Sequence, residues 1–199
     1  IFEWNPVTNI YTQKTDLTST LGISPYGSLA LYGSKFYGLT YQGGLTISGT
    51  LFEWDPATNI FTKKRNFRHA VNGQTPSGSI TPYAGKVYGI TSLGGANDDG
   101  VIFEWDISSK VYTSKYDFIS TTGSNPVGKL ALYNGKFYGG TTFGGSSDQG
   151  VLFEWDPATN TYTNKINLTF ALGEHPTGDL CLNGGKFYGM TSDGPGSTG

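Results

Sequence analysis

The sequence predicts an all-β fold, a β-propeller of four antiparallel four-stranded blades of about 50 residues each. Three observations predict it. Trp4, Trp54, Trp105 and Trp155 each close a Phe-Glu-Trp triplet, so the chain repeats at intervals of 50, 51 and 50 residues. Each repeat carries four short apolar segments parted by turn-forming residues. The composition of the 199 residues, with 30 Gly, 13 Tyr, 12 Phe and one Met, suits short strands and tight turns rather than long helices.

In the third repeat the segments are 128–133, 136–142, 151–156 and 161–168, designated A to D. All are of strand length and rich in β-branched and aromatic residues. Asn134-Gly135 joins A to B and is a strong hairpin signal, because a type I′ turn needs positive φ at both central positions. Gly33-Ser34, Ala84-Gly85 and Gly184-Gly185 take its place in the other repeats. Asp156-Pro157-Ala158-Thr159-Asn160 joins C to D. Its proline presets φ, its aspartate can accept backbone N–H bonds, and its asparagine tolerates a left-handed exit. Each repeat is therefore expected to be a meander. A meander cannot bury both faces alone, whereas stacked copies can. Pro82 falls inside segment A of the second repeat, so A is expected to be an edge strand that lacks one partner.

The segment Lys136-Phe-Tyr-Gly-Gly-Thr-Thr-Phe-Gly-Gly-Ser-Ser-Asp-Gln-Gly-Val-Leu-Phe-Glu-Trp155 resembles the GloVer-type tandem repeat of bacterial surface proteins. The Pro-x-Gly that follows in that family is present at Pro25–Gly27, Pro76–Gly78, Pro126–Gly128 and Pro176–Gly178. The pattern is also similar to kelch repeats, except that Gly144-Gly145 sits in the B–C loop rather than at the end of strand B. The fourth repeat has Gly194-Pro195 there. The resemblance implies a secreted or cell-surface propeller and carries no settled activity.

Residues that recur in every copy read as scaffold. The tryptophans, with Tyr37, Tyr88, Tyr138 and Tyr188, are expected in a core between blades. Gly38, Gly89, Gly139 and Gly189 are expected to make room for neighbouring rings. Glu3, Glu53, Glu104 and Glu154 are too symmetric for a two-acid hydrolase, which needs its acids in different environments. They are expected to hydrogen-bond between blades. Lys35, Lys86, Lys136 and Lys186 are expected to pair with the aspartates that close strand C, so that Lys86 meets Asp106 and Lys136 meets Asp156.

A net charge of −2 argues against a nucleic-acid binder, and no stretch is apolar for long enough to span a bilayer. Cys181 is alone, so neither a disulfide framework nor a cysteine metal site is expected. No cofactor and no metal are expected. The start at Ile1 reads as a processed or excised piece whose signal peptide lies outside it. Asn167-Leu168-Thr169 is a lone N-glycosylation sequon, and its counterpart Asp16-Leu17-Thr18 has no asparagine, so it reads as coincidence.

Function is expected on the face that carries the variable B–C and D–A loops. That face offers Tyr41, Gln42, Arg68, His69, Asn97, Asp98, Asp99, Phe143, Asp148, Glu174, His175 and Asp193 as candidate binding residues. The expected role is a non-enzymatic extracellular binding, adhesion or structural module whose loops meet protein or glycan. Self-association as part of a longer array is a further expectation. The alternative is a lectin or carbohydrate-active enzyme with Asp98, Asp99 and Glu174 as its acids. The whole chain, 1–199, reads as one repeat domain. Its first blade is split between strands C and D (1–17) and strands A and B (178–191). The two halves either pair and close a four-bladed ring, or the chain is a segment of a larger propeller or array.

Overall fold

The computed structural model describes residues 1–196; the last three residues of the final B–C loop lie outside them. The fold is all-β. The strands are β1 (Phe2–Asn5), β2 (Ile10–Gln13), β3 (Ala30–Tyr32), β4 (Lys35–Thr40), β5 (Thr50–Asp55), β6 (Ile60–Asn66), β7 (Thr81–Tyr83) and β8 (Lys86–Thr91). They continue with β9 (Val101–Asp106), β10 (Tyr112–Asp117), β11 (Ser124–Tyr133), β12 (Lys136–Phe143), β13 (Val151–Asp156), β14 (Thr161–Asn167), β15 (Glu174–Asn183) and β16 (Lys186–Asp193). Three antiparallel meanders result, β3–β6, β7–β10 and β11–β14, flanked by the two-stranded sheets β1–β2 and β15–β16. The D–A connections hold a one-turn helix, α1 (His69–Asn72), and a 3-10 turn at Phe170–Leu172.

The turns form as their residues dictate. Ala84-Gly85, Asn134-Gly135 and Gly184-Gly185 have positive φ at both positions, while Gly33-Ser34 has it at the glycine. Asp156 Oδ1 accepts the Ala158 and Thr159 amides, and Asn160 exits at φ 55°. Asn160 Oδ1 also accepts the Trp155 indole N–H, a second role that the turn pattern does not reveal. Pro82 lies in β7, an edge strand, where the missing N–H leaves no ladder bond unmade.

The core lies between successive sheets. Tyr37 and Leu39 of one meander pack with Val87, Phe103 and Trp105 of the next, and Tyr88 and Ile90 pack with Phe137, Phe153 and Trp155. Trp54, Trp105 and Trp155 are 3%, 4% and 0% exposed, but Trp4 is 54% exposed. Tyr88 of the preceding sheet sits 5.7 Å from the Trp155 ring. Gly38, Gly89 and Gly139 leave room for the cross-strand phenylalanine: an added Cβ would stand 2.5–2.6 Å from Cζ of Phe52, Phe103 and Phe153.

One expected contact is replaced, and another is joined by a nearer partner. The glutamates bond within their own sheet rather than between sheets, because Tyr37 and Lys35 stand beside Glu53 on the neighbouring strand. Tyr37 Oη donates to Glu53 Oε2 at 2.7 Å, and Lys35 Nζ reaches Oε1 at 2.9 Å. The strand-B lysines accordingly take glutamate as first partner. Lys86 lies in register with Asp106, but its ammonium pairs with Glu104 at 2.7 Å; Lys136 pairs with Glu154 at 2.7 Å and also, as expected, with Asp156 at 3.8 Å. Glutamate's longer side chain meets the ammonium on the same face, while the aspartate carboxylate is held by turn amides.

This network predicts acid sensitivity. The hydrogen bond from Lys136 holds the Glu154 carboxyl below its ordinary value of 4.5, with Tyr138 and Lys165 adding to it and burial opposing it. A carboxyl depressed in the folded state stabilises the fold above its unfolded pKa, and that contribution fades as pH falls through the folded value. The melting temperature should therefore fall on acidification below pH 4.5, less steeply in Glu154→Gln. Parallel slopes for both proteins in a thermal titration would exclude this source.

The expected split sheet does not form. β1–β2 and β15–β16 are separate sheets with no ladder between them. The strand-A starts explain why: an added Cβ on Gly27 would run into the Gly78 carbonyl, one on Gly78 into that of Gly128, and one on Gly128 into that of Gly178. At Gly178 nothing lies within 4 Å, so the succession ends there without returning to Gly27.

Candidate functional site

Strand A enters each sheet from the loop face, so the Pro-x-Gly segments converge at a mouth on that side. Each begins with a left-handed residue, Ser24, Thr75, Asn125 or His175, at φ between 51° and 57°. That turn brings the Thr75, Asn125 and His175 amides onto the Ser48, Asp99 and Gln149 carbonyls of the preceding B–C loop. The following proline then packs on a loop glycine: an added Cβ on Gly49, Gly100 or Gly150 would stand 2.7–2.8 Å from Cδ of Pro76, Pro126 or Pro176. Repetition ends at the side chains. Successive copies present Tyr26, Ser77, Val127 and Thr177 before the glycine, and Ser28, Ser79, Lys129 and Asp179 after it.

All of these but Lys129 line an open cavity of about 410 Å³ bounded by all four Pro-x-Gly segments. Ser79 Oγ accepts the Ser28 amide at 2.8 Å, and Asp179 Oδ1 accepts the Lys129 amide at 2.8 Å, so side chains tie neighbouring sheets together at the mouth. Among the described residues no carboxylate lies within ion-pair distance of the Lys129 ammonium. Tyr26 is 69% exposed and packs edge-on against Tyr41, ring centres 5.1 Å apart. Ser77 and Ser92 share a hydrogen bond of 2.7 Å, and Ser92 also donates to the Pro126 carbonyl.

The twelve expected site residues divide. Tyr41, Phe143, Glu174, His175 and Asp193 lie at or beside the mouth: Phe143 meets the His175 ring at 5.1 Å, His175 Nδ1 is 3.3 Å from Asp193 Oδ2, and Glu174 is opposite Asp193 in the β15–β16 ladder. Hydrogen bonds from Ser192 and His175 hold the Asp193 carboxyl below its ordinary value. Gln42 closes a backbone bridge to Ile23.

The others belong to the loop tips. His69 Nε2 lies 2.8 Å from Asp98 Oδ1, which also accepts the Gly94 amide; Asp148 does the same for Gly144. Asn97 donates to the Phe118 carbonyl, and the Arg68 amide donates to Asn72 Oδ1 at the start of α1. Burial pushes the Asp99 carboxyl up, and Asp98 and Asp148 add to that. Asn97-Asp98-Asp99 is thus largely a loop brace. Glu174 makes no hydrogen bond or ion pair with Asp98 or Asp99, so the three expected acids do not form one contacting group. The sequon residue Asn167 accepts the Ser146 amide, as Asn66 and Asp117 do for Leu45 and Ala96. Its amide group is structural.

The sequence reading missed the Pro-x-Gly flanks Tyr26, Ser28, Ser77, Ser79, Lys129 and Asp179. The available signal was variation at fixed distance from an invariant glycine.

The family model described as Gloeobacter/Verrucomicrobia repeat matches residues 1–133 and 80–199. No curated protein matches the chain. Among solved structures, an extracellular domain assigned to the one-component system BT4673 of B. thetaiotaomicron is similar in fold, with a TM-score of 0.61 and 16% identity. The match covers 91% of this chain and 21% of that one, so this chain spans about a fifth of its length.

Proposed function

The chain belongs to the Gloeobacter/Verrucomicrobia repeat family, and from that premise we propose that it is a non-enzymatic binding module of an extracellular or cell-surface bacterial protein. Its sheets are the kelch-like blades of an open propeller arc, and the ligand is held at the mouth where strand A begins. One observation supports the reading: at that mouth a Pro-x-Gly segment recurring in all four copies displays Tyr26, Ser77, Val127 and Thr177, one different side chain per copy. Variation on a repeated scaffold is what a recognition surface needs.

Glycan is the ligand class best served. Tyr26 offers an exposed ring braced by Tyr41, suited to stacking on a sugar face, and Ser28, Ser79 and Asp179 offer hydrogen bonds around it. Trp54, Trp105 and Trp155 are buried and unavailable for that role. A panel of immobilised bacterial and plant polysaccharides tests the proposal. A binder should lose about tenfold in affinity or more in Tyr26→Ala. Unchanged binding in that variant would remove the mouth from consideration. Glycan turnover by the native chain that vanishes in an Asp98→Ala/Asp99→Ala/Glu174→Ala variant would make the protein an enzyme instead.

A further inference from the structure

Between the sheets β3–β6 and β7–β10, polar groups without a partner among the described residues gather at Tyr112. β6 holds one extra residue against β5 between Lys63 and Arg65, as β10 holds one against β9 between Ser114 and Tyr116. Each bulge turns the residue after it toward the next sheet. Tyr116 thereby stacks on Tyr162 with ring centres 4.1 Å apart, and Arg65 brings its guanidinium carbon 5.0 Å from the Tyr112 ring centre. The tyrosine hydroxyls match as well: Tyr162 donates to the Thr122 carbonyl at 2.7 Å, and Tyr112 to the Asn72 carbonyl at 2.6 Å. Thr122 and Asn72 each precede a glycine, Gly123 and Gly73.

The two places differ in what completes them. Tyr116 Oη and Thr122 Oγ1 share a hydrogen bond of 2.8 Å, a donor meeting an acceptor. Arg65 and Asn72 put two donors where that pair stands. Asn72 is 2% exposed, and its Oδ1 accepts the Arg68 amide at 2.6 Å, which fixes the carboxamide and leaves Nδ2 without an acceptor. Arg65 Nε is likewise buried and unpartnered, and so is Ser114 Oγ, two residues from Tyr112 on the same face of β10. Among the described residues no carboxylate lies within ion-pair distance of Arg65. Asp117, the acid whose field reaches Tyr112, is turned to the B–C loop, where its Oδ1 accepts the Ala96 amide at 3.0 Å. Burial raises the pKa of the Tyr112 phenol, so it stays neutral and offers no counter-charge. A partly buried cation and two inward donors thus lack an acceptor, a costly arrangement.

We propose that Arg65 and Asn72 bind a small monovalent anion of the chloride class between these two sheets, with Ser114 as a further donor. One guanidinium charge balances one negative charge, and a halide accepts several hydrogen bonds without having to donate any. A divalent oxyanion would leave a second charge desolvated and unpaired. Water would accept from both donors but would bring two protons of its own that need acceptors. The anion joins β6 and α1 to β10 of the next sheet and shares no residue with the mouth cavity. It is therefore a structural ligand, independent of what the mouth holds.

Thermal melts of the native chain in mixtures of sodium chloride and sodium gluconate at constant ionic strength test the site. The melting temperature should rise by about 3–6 °C as chloride replaces gluconate up to about 0.5 M. Asn72→Asp keeps one oxygen for the Arg68 amide and turns a second to Arg65, an anion built into the chain. It should melt in gluconate where the native chain melts in chloride, and gain less than about 1 °C from chloride itself. Arg65→Tyr/Asn72→Thr installs the pair that already packs between β10 and β14, so it should fold and be equally insensitive. Bromide-soaked crystals of the native chain should show an anomalous peak in contact with Arg65 and Asn72. Equal melting temperatures of the native chain in the two salts overturn the proposal and leave these groups to water. A bromide peak only elsewhere, or a chloride effect that both variants retain, overturns it too.

Discussion

Gly78→Ala should destabilise the chain by about 3 kcal/mol, the upper end of overpacking costs, and lower its melting temperature by about 6–12 °C. A methyl group on Gly78 would occupy the position of the Gly128 carbonyl oxygen. The obstacle is backbone of the neighbouring sheet, so no rotamer change relieves it. Two sheets must separate, and the hydrogen bond from Ser28 to Ser79 beside them is strained in turn. Gly178→Ala is the informative control. It has φ +78° and nothing within 4 Å, so it should cost only the left-handed backbone term, about 1–2 kcal/mol. Equal losses for the two variants in urea titrations would show that close approach of the sheets is not what requires glycine.

The second large effect is expected at Phe153. Its ring is 1% exposed, stacks on Tyr162 and meets Phe118 edge-on at 5.4 Å. Truncation to alanine should cost about 3–5 kcal/mol, since the notch over Gly139 cannot collapse while the β12–β13 ladder holds. The notch gives the test its specificity. Gly139→Ala alone places a methyl 2.6 Å from Phe153 Cζ and should destabilise, whereas in the Phe153→Ala background the same methyl fills vacated space. A coupling of about 1–2 kcal/mol between the two changes is expected. Strict additivity would mean that the glycine serves the backbone and not the ring.

Most of the strand order was legible because it is written in local chemistry. Asn134-Gly135 and Asp156–Asn160 determine their turns through residues adjacent in sequence, and the flanking strands follow in register. The glycine–phenylalanine pairing was half legible. The need for a ring at Gly139 could be read from the repeat, and its source on the neighbouring strand could not. The glutamate contacts were misjudged because reach and side-chain direction, rather than register, select the lysine's partner. Lys86 faces Asp106 along the ladder and still bonds Glu104.

Of the candidate site, the loop face was legible and its centre was not. Variable loops drew attention to His69, Asp98 and Asp148, which mainly brace turns. The mouth is assembled from residues about 50 positions apart, such as Tyr26, Ser77, Val127 and Thr177, that meet only when the sheets stack.

By itself, then, the sequence determined the unit: an all-β repeat with its strands, turns and internal pairing. Those features depend on neighbours within one period, and each period contains them all. Only the tertiary structure decided how the units are placed against one another. That depends on the approach of Gly27, Gly78, Gly128 and Gly178, backbone against backbone, and on the angle each contact imposes. At Gly178 no such approach is made, and Phe2–Asn5 and Lys186–Asp193 stand in separate sheets, a placement that no single repeat encodes.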